Sequence, residues 1–434
     1  CGSRRGDRNE KSGRGRTQAD KAKMTHTAEP PSPVQPRIIT LVLIASAGAL
    51  AMNIFLPSLP SMARHFEVEY SVIQLLVSLY LVATAFIQLV VGPLSDRFGR
   101  RPVLLAGVSI FALSTIAAIY APTFEILLAC RLMQSTAAAG LVLSRAVVRD
   151  TVTNMEDAAS RIGYVTMGMS LMPMIGPIIG GYLDEIYGWK STFLLTFCFA
   201  LVTLVVVFAD LSETHKTRTT SMLAQMKTYP ELFRSRRFWG YSATAGFSSG
   251  AFFAFLGGGP FVATELLGMS PASYGVYFGL ISVGYMAGNY LSVRFSREKG
   301  VNRMMLWGSV VGMLSGLIPL VLLAFGIFTP LSVFAPAAFA GIGNGMALPN
   351  ANAGMVSVRP HLAGSAAGLG GTLNIACGAV LAFLAGAVLT RESGPMPLFV
   401  IMAASMAASI ASSAYVMRVA RQAGEPDMTP GGHP

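Results

Sequence analysis

The chain has 434 residues, 53% of them hydrophobic and only 12% charged, with a formal net charge of +11 and a mean hydropathy of +0.56. Such values exclude a water-soluble domain, and the positive charge is parcelled out between long apolar runs, which argues against nucleic acid as a partner. A membrane β-barrel is excluded as well, because its strands would read as short alternating segments.

A helix needs about 20 apolar residues to cross a bilayer, so the chain, less a polar head and tail, has room for about twelve crossings. The head, residues 1–36, is rich in charge, Gly and Pro and is expected to be disordered. It starts with Cys, and Met24 opens a segment that reads as a short leader, so residues 1–23 are set aside as upstream sequence. The first run extends from about Ile38 to Leu59, where Pro57 and Pro60 mark a helix end. The next five lie at about Ser71 to Val91, Val103 to Tyr120, Phe124 to Val148, Arg161 to Leu183 and Ser191 to Ala209. Residues 211–237 form the one long polar connection, a linker holding Lys216, Arg218, Lys227, Arg234, Arg236 and Arg237. Beyond it come runs at about Phe238 to Ala263, Ser273 to Val293, Arg303 to Phe325, Leu331 to Ser357, Ala363 to Leu389 and Pro397 to Val419. The expected fold is an all-α membrane protein of twelve transmembrane helices in two pseudo-symmetric six-helix bundles, residues 37–210 and 238–420. A disordered tail covers 421–434.

Of the 32 Lys and Arg, nine precede the first run and nineteen more fall in alternate loops and the tail, leaving Arg64, Arg131, Lys190 and Arg391. Cytoplasmic loops retain such an excess, so both termini are expected in the cytoplasm. Cys130, Cys198 and Cys377 lie within apolar runs and Cys1 in the head, with no metal-ligand spacing; neither a disulfide, a metal nor a cofactor is expected. With no nucleophile and base pair and no phosphate loop, an enzyme is the least favoured class.

The stretch GPLSDRFGRR, between the second and third runs, reads as a short loop at a membrane surface. Its Gly92, Asp96, Arg97, Gly99, Arg100 and Arg101 fit the pattern G-x-x-x-D-[RK]-x-G-[RK]-[RK]. Asp96 can pair with an arginine or sit at a positive helix N-terminus, a contact that would lock the halves in one state and break in the other. The simpler alternative is a topogenic basic loop with a solvated acid. The basic stretch VRFSREKGVNR, from Val293, stands at the matching place in the second half; internal duplication of this kind is a mark of transporters.

The GPLSDRFGRR stretch is similar to the signature of the major facilitator superfamily. RLMQSTAAAG, from Arg131, resembles the fourth-helix motif of its drug:proton antiporters, with Arg131 and Gln134 matching and Ser135 in place of the usual Gly. GPIIGG, from Gly176, resembles their fifth-helix motif, and FLPSLPSMA, PFVATELLGMSPASYG and GNGMALPNANAG resemble the bicyclomycin and chloramphenicol resistance branch, Bcr/CflA. The resemblance implies a bacterial inner-membrane exporter of small, largely apolar compounds, using the proton gradient and no bound cofactor, in a monomer that meets only lipid and cargo.

It also implies roles for individual residues. Arg131 and Gln134 take part in proton coupling, and Gly176, Pro177, Gly180 and Gly181 form a hinge or seal. Gly364, Gly368 and Gly371 read as packing notches. The branch commonly carries an Asp just before the aromatic-Leu-Pro segment, where this chain has Asn53. Asn does not titrate, so the proton falls to Asp96 or Glu265. Without a carboxylate in the cavity, neutral or zwitterionic cargo is expected, against a lining of Asn53, Phe55, Tyr80, Gln88, Gln134, Met169, Phe252, Phe253, Tyr285 and Asn374. An uncoupled facilitator or importer of a metabolite is the alternative that Asn53 favours; a receptor or scaffold that transports nothing is the alternative from another class.

Overall fold

The computed structural model describes residues 35–152, 155–214, 229–359 and 362–422. Among them are twelve long helices. α1 runs over Ile38–Asn53, passes through a 3-10 turn at Leu56–Ser58 and resumes at Leu59–His65. A single turn, Tyr70–Ile73, precedes α2 (Leu75–Phe98). Next come α3 (Arg100–Ile119) and α4, which is broken into Phe124–Gln134, a 3-10 turn Ser135–Ala138 and Ala139–Thr151. α5 (Met155–Tyr187) and α6 (Lys190–Asp210) complete the first half. A short helix, Tyr229–Phe233, leads to α7 (Arg236–Phe261), which ends in a π-helical turn at Val262–Leu266. α8 (Pro271–Lys299), α9 (Val301–Ala324), α10 (Pro330–Ser357), α11 (Ala363–Val388) and α12 (Met396–Gln422) follow. Lys216, Arg218 and Lys227 of the expected linker, the head up to residue 34 and the tail from residue 423 lie outside the described residues.

Two boundaries read from the sequence are corrected. The first helix does not stop at LPSLP. Pro57 and Pro60 interrupt the hydrogen-bond ladder because they lack an N–H, yet each falls in the first turn of the next helical segment, where no such donor is needed. The expected loop at 92–101 is also helical, save for Gly99 at φ 102° and ψ 153°. Asp96 and Arg97 close α2, and Arg100 and Arg101 open α3. The basic stretch after Val293 behaves alike: α8 continues to Lys299, and Gly300, at φ 82° and ψ 154°, makes the turn into α9. That backbone region suits glycine alone at no steric cost, so the same one-residue corner recurs at corresponding places in the two halves.

Eleven of the twelve helices are long and apolar enough by themselves to cross a membrane, and α8 is the exception. Packing compensates for its composition. Ser270 caps it, accepting a hydrogen bond from the Ser273 amide at 3.2 Å with Pro271 at the first position. Its small residues then admit neighbouring backbones: Gly275 lies against Pro177 of α5, while Gly284 and Gly288 lie against Ala338 and Ile342 of α10.

The apolar core shows how the halves meet. At one end of the helices a single cluster joins both, with Phe55, Trp189 and Phe193 of the first half packed with Phe255, Tyr274 and Phe334 of the second. At the Arg-rich end the clusters are separate. One holds Leu41, Val91, Leu143 and Val207; the other holds Phe238, Met305, Met355 and Val416. Contacts between α5 and α8 follow suit: Gly181 abuts Pro271, Gly275 abuts Pro177, and Ser282 donates to the Pro173 carbonyl at 3.3 Å. Between α2 and α11, Gln74 donates to the Ala382 carbonyl at 2.6 Å and Gln88 approaches Gly371. Further toward the Arg-rich end, a Cβ added at Gly364 or Gly368 would meet nothing within 4 Å. These two are not packing notches here, because no helix faces them closely.

A side chain at Gly181 would collide with the backbone of Pro271 and Ala272. Gly181→Val should therefore part the halves at their closed end. Spin labels at the exposed positions Tyr187 and Phe325, introduced as Tyr187→Cys and Phe325→Cys, should report a longer mean distance in that variant than in its parent.

Candidate functional site

Four sites emerge when the sequence candidates are placed on this frame. At the Arg-rich end, Arg100 is buried and pairs with Asp96 at 2.6 Å and Asp150 at 2.9 Å, and it donates to Ser95 Oγ at 2.5 Å. Glu213, just after α6, accepts from the backbone amides of Arg100 at 2.9 Å and Arg101 at 3.2 Å. This carboxylate sits on the positive end of α3, where helix amides lack internal acceptors. Arg101 itself reaches the Phe208 carbonyl at 3.0 Å. Every one of these contacts lies inside the first half. In this state, with the two halves apart at this end, Asp96 pairs with Arg100 on the next helix. Arg97 is exposed and rests over the Phe98 ring.

At the closed end, Glu265 on the π-helical turn bridges Arg64 of the first half, at 2.9 Å, and Arg391 of the second, at 2.5 Å. Around it, Tyr70 donates to the Gly257 carbonyl at 2.8 Å, and Glu185 accepts from the Ala272 amide at 3.3 Å at the start of α8. The ion pairs are solvent-exposed on the arginine side, so each contributes about 0–1 kcal/mol. In the sequence Arg64 and Arg391 stand out only as leftovers of the charge count. Tyr70 and Gln74 are missed there altogether, although a glutamine inside an apolar run is a visible signal.

The glycines of GPIIGG divide their work between two neighbours. Gly180 lies on the Ile54 carbonyl and Gly176 beside Asn53, both on α1 where its helix breaks, whereas Gly181 faces α8. α5 is thereby tied to the break in α1 and to the other half at once.

Members of the expected cargo lining come from both halves, and Phe55 shares one apolar cluster with Phe252 and Phe253. Around Arg131, which is 1% exposed, the Phe55 and Tyr80 rings lie 4.1 and 4.3 Å from the guanidinium carbon. Arg131 Nη1 donates to Gln134 Oε1 at 2.6 Å and to the Ala51 carbonyl at 3.1 Å. Asn53, two residues before Phe55, is buried; its Nδ2 donates to the Ala49 carbonyl at 2.7 Å and its Cβ faces Gly176. In the second half, Phe252 contacts Phe253 and Phe278, Phe253 packs on Gly378, and Ser249 donates to Asn374. Gln88 is half-buried between the halves. Met169 packs on the apolar cluster of the first half, and Tyr285 lends its backbone to the glycines of α10.

The family model of the Major Facilitator Superfamily matches residues 41–380. The chain is 31% identical to the MFS-type transporter YdgK of Bacillus subtilis over 379 residues, covering 83% of this chain and 90% of that one. It is 30% identical to multidrug resistance protein D of Escherichia coli, covering 83% and 91%, and 29% identical to the bicyclomycin resistance protein homolog of Haemophilus influenzae, covering 83% and 91%. Among solved structures, a peptide transporter, POT, in complex with alafosfalin aligns with a TM-score of 0.73 at 14% identity, covering 90% of this chain and 97% of that one. A bacterial homolog of the human lysosomal transporter Spinster, in an inward-facing and unoccupied conformation, aligns with a TM-score of 0.64 at 14% identity, covering 88% and 95%.

Removing the charge at Arg100 would strand two carboxylates, a loss of about 3–5 kcal/mol where such a pair is buried. Arg100→Gln should lower the thermal unfolding midpoint of the purified protein clearly. Arg97→Gln, at an exposed position, should change stability by less than about 0.5 kcal/mol.

Proposed function

The chain belongs to the Major Facilitator Superfamily, and on that premise we propose that it exports small, largely apolar compounds across the bacterial inner membrane by alternating access, in exchange for protons. It is a multi-pass membrane transporter rather than an enzyme. One observation carries the mechanism: the two six-helix halves share a core at one end and have separate cores at the other. Assigning the Arg-rich end to the cytoplasm, by the retention of basic residues on that side, makes this an inward-open arrangement with both termini inside.

In this reading the closed end is the outer gate. Its backbone contacts at Gly181 and Gly275 supply the seal, and the Arg64–Glu265–Arg391 cluster supplies a releasable latch. Glu265 is the acid proposed to carry the proton, since neutralising it would dissolve the ion pair that joins the halves. Asp96 is the second candidate, held here by Arg100. The Phe55 and Tyr80 group and the Phe252 and Phe253 group face the cargo from opposite halves, with aromatic surfaces suited to varied apolar shapes. Relatives named for multidrug and bicyclomycin resistance support this cargo class. Asn53 favours one rival, a facilitator with no proton coupling.

The test separates them. Cells expressing the chain should accumulate less chloramphenicol or lipophilic dye than control cells, and a protonophore should erase the difference. Export that ignores the protonophore would support the facilitator, and equal accumulation under both conditions would defeat export altogether. Glu265→Gln should reduce the protonophore-sensitive export severalfold; full export in that variant and in Asp96→Asn would clear both acids of the proton.

A further inference from the structure

We propose that the free edge of the Arg131 guanidinium is a binding site for a planar monoanion, above all the carboxylate of an acidic or zwitterionic cargo molecule. Arg131 is permanently charged at neutral pH, and it lies about seven residues, roughly 10 Å, inside α4. Yet no described carboxylate forms an ion pair with it. The rings of Phe55 and Tyr80 lie against it, and Nη1 is occupied by Ala51 and Gln134. What remains is Nε and Nη2, both buried and both without a hydrogen-bond acceptor. These two N–H groups lie side by side in one plane and form the fork that takes a carboxylate through two parallel bonds. Gln134 Nε2, also buried and unpartnered, adds a third donor to the same neighbourhood. The two aromatic rings crowd the guanidinium, and a flat anion fits the fork between them better than a tetrahedral one.

The site has a means of opening. The gap beside Arg131, bounded by Ile54, Thr192, Phe193 and Thr196, has no room for a water molecule as the helices stand. However, α1 loses its helical form at Leu56–Ser58 and α4 does so at Ser135–Ala138, both within about a turn of the guanidinium. Short 3-10 stretches inside helices serve as hinges, and transporters of this type build their sites where spanning helices are discontinuous. Bending at the two breaks would free the edge without disturbing either half as a whole. The proposal keeps the zwitterionic part of the cargo expected from Asn53 and replaces the neutral part by acidic molecules. It rests on the exporter reading only for the identity of that molecule.

Binding is measured on the purified chain in lipid nanodiscs, by thermal unfolding in sulfate buffer at constant ionic strength, with sodium benzoate or sodium chloride as the probe. Benzoate should raise the midpoint saturably. Arg131→Gln should abolish the shift, and Gln134→Glu, which sets an internal carboxylate against Nη1 while preserving shape, should weaken benzoate affinity about tenfold or more. A response to benzoate alone supports an organic carboxylate as the ligand; an equal, competing response to chloride, a spherical ion, would overturn the planar-anion site. The absence of any saturable shift, or a benzoate shift that survives unchanged in Gln134→Glu, would overturn the proposal. Because the readout needs no transport, a failure of drug export would leave it intact, and its own failure would leave export standing.

Discussion

Everything in this architecture depends on two backbones coming unusually close. Gly181 of α5 lies on Pro271 of α8, and Gly275 of α8 lies on Pro177 of α5. Each glycine meets a carbonyl that a side chain would displace, and each of those carbonyls belongs to a proline. In a bilayer there is no hydrophobic gain in pressing two apolar helices together, so association falls to van der Waals contact and hydrogen bonds. The reciprocal glycines provide the first, and Gln74, Tyr70 and Glu185 provide the second. An interface assembled from small residues and single polar contacts holds a state without making it permanent.

Breaks in the helices are as significant as the helices. α1 and α4 both lose α geometry beside Arg131, and α7 ends in a π-helical turn that presents Glu265. The causes are local. Pro57 and Pro60 remove donors in α1, while Ser135 and Thr136 return their hydroxyls to the carbonyls of Leu132 and Met133 at 2.6 and 2.9 Å, competing with the ladder in α4. Irregular backbone inside a membrane is tolerated where protein surrounds it, and here it coincides with Arg131 and Glu265.

The Arg-rich end follows a different design. Its charges are fixed rather than switchable in this state: Arg100 is enclosed by two carboxylates and a hydroxyl, and Glu213 closes the start of α3. Together they bind α2, α3, α4 and the segment after α6 into one rigid unit. A half that moves as a body needs such internal ties at the end where its partner is absent.

The amino-acid sequence by itself determined the class, the number of crossings, the division into halves and the family, because apolar run length and basic loops are properties of a chain read one segment at a time. It also marked Arg131, Gln134, the GPIIGG glycines and Glu265 as unusual residues for their positions. Tertiary structure alone decided what each one touches. The stretch around Asp96 is two helix ends about a glycine, not a loop, since only the folded chain shows Gly99 taking the whole turn. Asp96 pairs within its own half, and Glu265 reaches across to Arg64. Partners so far apart in sequence, 201 residues in the case of Arg64 and Glu265, are set by how rigid helices pack, and no local pattern records that.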